Sequence, residues 1–240
     1  MATVKQVLEY ADSQTDLTVV AFTDHDDIAG GLAAREEWAR GSYRVQVVPG
    51  AEITTLEGHL LALFIDEPVP LFRPVEETLE AVHRQGGLCV IPHPMNWLTR
   101  SLGRRTIERV MRHRGSGVYF DGMQTANRSP GSRVALKTAR RLNTDIFRLP
   151  ELGGSDAHFA PALGSSYTEF PGETAEELRQ ALLEGTTRGV EGVYPSLAKI
   201  GYRTFLKQQW RGLAVTPKKA GLGPTIVSFF KRFKPTSTST

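Results

Sequence analysis

Three times in this chain an apolar run, and once a pair of glycines, leads abruptly into a carboxylate or an imidazole, and that recurrence limits the fold more than any other feature. Val19-Val20-Ala21-Phe22 runs into Thr23-Asp24-His25-Asp26, and Val47-Val48-Pro49-Gly50-Ala51 ends on Glu52. Leu88-Cys89-Val90-Ile91-Pro92 ends on His93, and Gly153-Gly154-Ser155 leads into Asp156-Ala157-His158. A short apolar run between polar segments reads as a buried strand. Donors repeated at one end of such strands gather where α/β barrels and open α/β sheets place their chemistry. In an extended segment the spacing of Asp156 and His158 points both to the same side. Oxygen and nitrogen donors of this kind suit Zn, Mn or Fe rather than a metal that prefers thiolates.

Helical patterns separate the runs. Val4, Val7, Leu8 and Ala11 predict a helix over 4–13, and further helices are expected around 30–40, 74–85, 106–113, 132–142 and 175–184. Strands are expected at 17–22, 44–49, 59–65, 88–92, 117–123, 146–152, 163–170 and 188–193. This βαβ alternation argues for a largely parallel sheet. Met95–Leu102, which contains Trp97, reads as a loop long enough to lie over a site. His83 and His113 fall in charge-rich helical stretches and read as surface histidines.

A chain of 240 residues, 40% of them apolar, can bury one sizeable core. It contains no run of about 18 apolar residues, so no transmembrane segment is expected. The first residues lack the apolar core of a signal peptide. The single cysteine, Cys89, excludes an internal disulfide and fits a reducing, cytoplasmic location. Charge is divided unevenly. Residues 195–240 hold nine of the 29 Lys and Arg and none of the 26 Asp and Glu, so the formal +3 belongs to this tail and the body is acidic. A generic nucleic-acid reading of the overall charge is therefore not warranted.

Taken in order, Thr23-Asp24-His25-Asp26, Gly50-Ala51-Glu52-Ile53, Gly58-His59-Leu60-Leu61, Ile91-Pro92-His93-Pro94 and Gly154-Ser155-Asp156-Ala157-His158 resemble the metal-binding motifs of the PHP (polymerase and histidinol phosphatase) family. The resemblance spans roughly residues 3–190. It implies a distorted (β/α)7 barrel that holds two or three divalent ions (Mn, Zn, Fe or Mg) at the C-terminal ends of its strands and hydrolyses phosphate esters. Carried over, Glu52 would bridge two metals, His59 and His93 would complete one site, His25 and His158 would share another, and Asp156 would ligate beside Glu52. Glu52, Asp156 and His158 would be the catalytic residues. Asp24 and Asp26 would be supporting or loop-fixing groups, and Asn127 and Arg128 would support the site or contact substrate.

Two departures from the family pattern shape the expectation. Relatives begin with a strand carrying His-x-His just upstream of the helix that here starts near Val4. That strand is absent from these residues, so the barrel is expected to lack its first strand and to hold fewer metals. Gln124 stands where similar proteins often have a glutamate. Residues 1–194 are thus expected to form a PHP-like hydrolase barrel acting on a small phosphorylated metabolite, nucleotide or short oligonucleotide. The alternative is a degenerate barrel serving as a binding module. Residues 195–240 are expected to form a basic amphipathic helical tail with a disordered end, its 195–234 part offering a surface for an anionic membrane or nucleic acid.

Overall fold

Helix α1, Val4–Gln14, starts at a reciprocal cap: the Thr3 hydroxyl accepts from the Gln6 amide while the Gln6 side chain accepts from the Thr3 amide. This computed structural model describes residues 2–96, 98–112, 117–129, 131–196 and 198, without the side chains of 133 and 134. By internal contacts the chain divides into Met1–Tyr194 and Pro195–Thr240. The expected basic tail lies almost wholly outside the described residues, as do Trp97 and His113.

Strands β1 (Val19–Phe22), β2 (Gln46–Thr54), β3 (His59–Leu63), β4 (Leu88–Ile91), β5 (Gly122–Ala126) and β6 (Glu151–Gly153) form one six-stranded sheet in that order. Strands β7 (Ser166–Glu169) and β8 (Arg188–Glu191) make a separate antiparallel pair. The helices are α2 (Ala29–Arg40), α3 (Val75–Arg84), α4 (Arg104–Arg112), α5 (Arg133–Leu142) and α6 (Ala175–Glu184). Among the described residues no helix is long and apolar enough to cross a membrane.

The largely parallel sheet expected from the alternation is in fact mixed. β1 with β2, β4 with β5, and β5 with β6 are parallel, whereas β3 runs antiparallel to both neighbours. The reason is local. Thr55 ties the β2–β3 turn by accepting from the Gly58 and Glu57 amides and donating to the Gly58 carbonyl, and so short a connection permits only a hairpin. Among the described residues the sheet is a curled, mixed half-barrel of six strands.

Two other strands shift from their expected places. A π-helical turn, Asn143–Phe147, ends on left-handed Arg148, and the Asn143 side chain bonds both the amide and the carbonyl of Leu149. The strand expected from 146 therefore begins only at Glu151. Residues 117–121 approach the sheet with Val118 and Phe120 buried, but pairing starts at Gly122.

Packing defines the two faces. Val48, Leu63, Leu88, Val90 and Leu152 share a cluster with Leu182 of α6, joined by Val19, Leu61, Ala175 and Leu178, so α6 fills the concave side. Ala51, Ile53, Leu60, Ala62, Cys89, Ile91 and Met123 point the other way, into the larger cluster with α3 and α4. The β7–β8 pair seals the β6 edge, where Gly153 is obligatory: a Cβ there would lie 1.9 Å from the Tyr167 carbonyl oxygen. Thr168 closes the seam, its hydroxyl accepting from the Gly153 amide and donating to the Gly153 carbonyl.

Candidate metal centre

Directly paired residues in a sheet present their side chains to the same face. Glu52 pairs with Leu61, and Leu61 with Val90, so Glu52 stands on the concave face at the C-terminal end of β2, above the apolar layer. It is only 6% exposed. A carboxylate so buried must be compensated, and three imidazoles compensate it.

Beyond β1 the backbone continues alongside β2. The Glu52 amide donates to the Asp24 carbonyl (3.0 Å) and the Asp26 amide to the Glu52 carbonyl (2.8 Å), which sets His25 opposite Glu52. Nε2 of His25 lies 3.4 Å from Glu52 Oε2. On the other side Nδ1 of His59 lies 2.8 Å and Nε2 of His93 2.9 Å from the same oxygen, Oε1. The ring centroids of His25 and His59 are 5.0 Å apart, and those of His59 and His93 are 5.7 Å apart. Donor atoms of His25, Glu52 and His59 all fall within 4.8 Å of one another.

The electrostatics follow. Burial opposes ionisation of Glu52, but the rings of His59 and His93 and the charge of His25 outweigh it and hold the carboxyl well below its ordinary range. Burial alone would lower His93. Its contact with Glu52 and the fields of Glu52 and Asp156 raise it instead.

Does this constellation fit a cation? Two ring nitrogens converge on one carboxylate oxygen, and the buried Nδ1 of His59 has no hydrogen-bond partner despite its 2.8 Å approach. Converging donors with an orphaned imidazole nitrogen are the arrangement that a divalent ion completes. Three imidazoles and one carboxylate suit Zn, Mn or Fe better than Mg.

The remaining site candidates divide by task. Asp26, left-handed at φ 54°, clamps β2 by accepting from the Thr54 amide (2.7 Å) and hydroxyl (2.9 Å). Asp24 covers Gly30 of α2, where a Cβ would come within 2.0 Å of its carboxylate. Asp26 thus ties the loop that carries His25 to β2. Buried Asn127 is spent internally, donating to Gln124 and accepting from the Ser129 amide. Arg128 faces Glu191 of β8 at 3.4 Å, a carboxylate that also receives Arg140 at 2.7 Å.

Asp156 and His158 stand apart from the tight group. Asp156 adopts φ 48° and sits 3.4 Å from the Ser129 hydroxyl. Nδ1 of His158 lies 3.0 Å from the Asp156 carbonyl oxygen and 3.7 Å from its carboxylate. A carbonyl only accepts, so Nδ1 carries a proton in this contact. His25, expected beside His158, is here grouped with Glu52 and His59.

Three residues at the centre had no sequence signal for their task. Gln124, visible only as a departure from the family pattern, accepts from the His93 amide (2.9 Å) and so holds that backbone at its positive φ. Ser101 and Thr99 contact Nδ1 of His93 at 2.7 and 3.1 Å. His83 also needs correction. It is no surface residue: its side chain is 15% exposed, bonds Asp121 at 2.9 Å and stacks on Tyr119, because α3 turns that flank against β4 and the segment before β5.

Comparison with known proteins places this geometry in context. The family described as PHP-associated matches residues 135–187. An uncharacterized protein of Methanocaldococcus jannaschii, MJ1587, is 39% identical over 135 residues, which is 56% of this chain and 71% of that protein. A two-domain protein from Bacteroides vulgatus containing a predicted PHP-like metal-dependent phosphoesterase superposes with a TM-score of 0.58 at 17% identity. That match covers 79% of this chain and 60% of the other, so this chain spans well under the full length of that protein. PsfC from Pseudomonas syringae superposes with a TM-score of 0.60 at 17% identity, covering 85% of this chain and 88% of its own. At these identities the two structures show a shared fold.

Proposed function

The chain belongs to the PHP family, and from that premise we propose that it is a metal-dependent phosphoesterase whose centre is built on Glu52. One observation carries the reading: two imidazole nitrogens converge on a single oxygen of a buried carboxylate, one of them without a hydrogen bond. Glu52, His59 and His93 would hold one divalent ion. His25 and His158 would contribute to a second, with Asp156 beside Glu52. Bound there, such ions supply a Lewis acid for phosphoryl oxygens and a water acidic enough to act as nucleophile.

The chain's own residues supply the rest. The apolar layer of Val48, Leu61 and Val90 closes the centre from below, so the Glu52 charge acts in a medium where it is weakly screened. Asp26 and Gln124 hold the backbones of His25 and His93 so that the rings need not reorganise when a ligand arrives. Nδ1 of His158 is engaged by the Asp156 carbonyl, so Nε2 would be the nitrogen that meets a ligand. The substrate would be a small phosphorylated metabolite, a nucleotide or a short oligonucleotide. The basic 195–234 segment would face an anionic surface.

The test is turnover of chromogenic phosphate mono- and diesters by Mn- or Zn-loaded full-length protein. Loss in Glu52→Gln and His93→Ala supports the reading. Tight metal binding without turnover of any ester would leave a binding module instead.

A further inference from the structure

His93 reaches the centre through Nε2, and what its other nitrogen does decides whether Nε2 has a lone pair to offer. Nδ1 lies 2.7 Å from the Ser101 hydroxyl and 3.1 Å from that of Thr99. The same Ser101 hydroxyl lies 2.7 Å from the His93 carbonyl oxygen and 2.8 Å from the Thr99 hydroxyl.

The proton count has one consistent solution. Ser101 Oγ has a single hydrogen, and the His93 carbonyl, which only accepts, needs it, since two oxygens 2.7 Å apart with no hydrogen between them repel. The 2.7 Å contact to Nδ1 must then be bridged by a hydrogen on the ring. Thr99 donates its own hydrogen to Ser101, filling the second lone pair. The circuit leaves Nδ1 protonated whether or not Nε2 is.

The backbone that presents Ser101 is specified elsewhere. The His59 amide donates to the Arg100 carbonyl, Ser101 forms an isolated bridge to His59, and the Met95 amide closes the loop onto Leu102. Gly58 makes this close approach feasible, because a Cβ there would lie 2.6 Å from the Leu102 amide nitrogen. Leu102 is fully buried and anchors the segment.

We propose that Ser101, backed by Thr99, is a positioning residue that keeps the proton on Nδ1 of His93, so that Nε2, 2.9 Å from Glu52 Oε1, is the nitrogen that gives up its proton when a metal ion binds. Residues 99–102 are thus part of the centre, and they tie His59 and His93 into one unit. The inference rests on the reading of this centre as a metal site for its consequence, although the Nδ1 proton itself does not depend on it.

The experiment uses full-length wild type, Ser101→Ala and Ser101→Thr. Long-range 1H–15N correlation of the histidines is recorded on metal-free and Zn-loaded protein at neutral pH, and Zn affinity is measured by calorimetry. Expected are an Nδ1–H signature for His93 in wild type, its loss in Ser101→Ala with Zn binding weakened about 10-fold or more, and recovery in Ser101→Thr. An unprotonated Nδ1 of His93 in wild type overturns the proposal even if Ser101→Ala fails to fold. So do wild-type tautomer and affinity in a folded Ser101→Ala. If wild type shows the Nδ1–H form, lost in Ser101→Ala, but binds no Zn, the positioning stands and the metal-site reading falls.

Discussion

Nδ1 of His59 and Oε1 of Glu52 approach to 2.8 Å, and yet the ring nitrogen makes no hydrogen bond. A buried donor and a buried acceptor that close would normally align, since the cost of leaving either unpaired is about 1–3 kcal/mol. Their misalignment makes sense if both are aimed at a third body.

Zn or Mn should therefore stabilise the fold by binding it and not the unfolded chain. At a free concentration about 100 times the Kd the gain is about 2.7 kcal/mol, which for a chain of this size raises Tm by about 5–10 °C. Glu52→Gln should abolish the shift. Equal shifts in wild type and variant by scanning fluorimetry would place the metal elsewhere.

His83 and Asp121 form a second buried pair with a different role. Asp121 Oδ2 accepts from His83 Nε2 (2.9 Å) and from the Cys89 amide (2.7 Å), fastening α3 to β4 near its N-terminal end. Asp121→Ala should cost about 3 kcal/mol or more in urea unfolding, because it strands two buried donors. Cys89 lies at the N-terminal end of β4 and His93 beyond its C-terminal end, so Zn affinity of the folded variant should match wild type. A Zn affinity that falls with the stability would show that the pair supports the centre.

Glu177 gives a pH dependence whose sign can be stated. Its carboxylate accepts from the Glu173 amide, the Thr174 hydroxyl and the Thr174 amide, and these bonds to the charged form lower its pKa from the model-compound value of 4.5. A folded-state pKa below the unfolded one contributes stability that is present above about 4.5 and lost as pH falls through the folded value. The Tm gap between wild type and Glu177→Gln should be open at neutral pH and should close in acid. A gap that does not change with pH would mean the charge at the start of α6 is immaterial.

How much of this was legible beforehand depends on whether neighbours in sequence or neighbours in space decided it. The apolar strands that lead to Glu52 and His93, the helices over 30–40 and 175–184, and the family resemblance could be read because apolar period and capping chemistry are local, although the strand expected at 44–49 runs on to Thr54 and takes in Glu52. The antiparallel course of β3 could also have been read, since Thr55-Leu56-Glu57-Gly58 is too short for a crossover, but the alternation pattern obscured it.

Other features could not be read along the chain. His83 looked like a surface residue because its partner Asp121 lies 38 positions away. Gln124 and Ser101 act on His93 from 31 and 8 positions away, and nothing in their own surroundings marks them as parts of a centre. By itself the amino-acid order determined which donors exist and which strand ends carry them. Only the curl of the sheet decided that His25, His59 and His93 meet at Glu52, while Asp156 and His158 stand beside the group. Periodicity sets the direction of a side chain, but register and sheet curvature, which arise from contacts far apart in sequence, set the distances on which coordination depends.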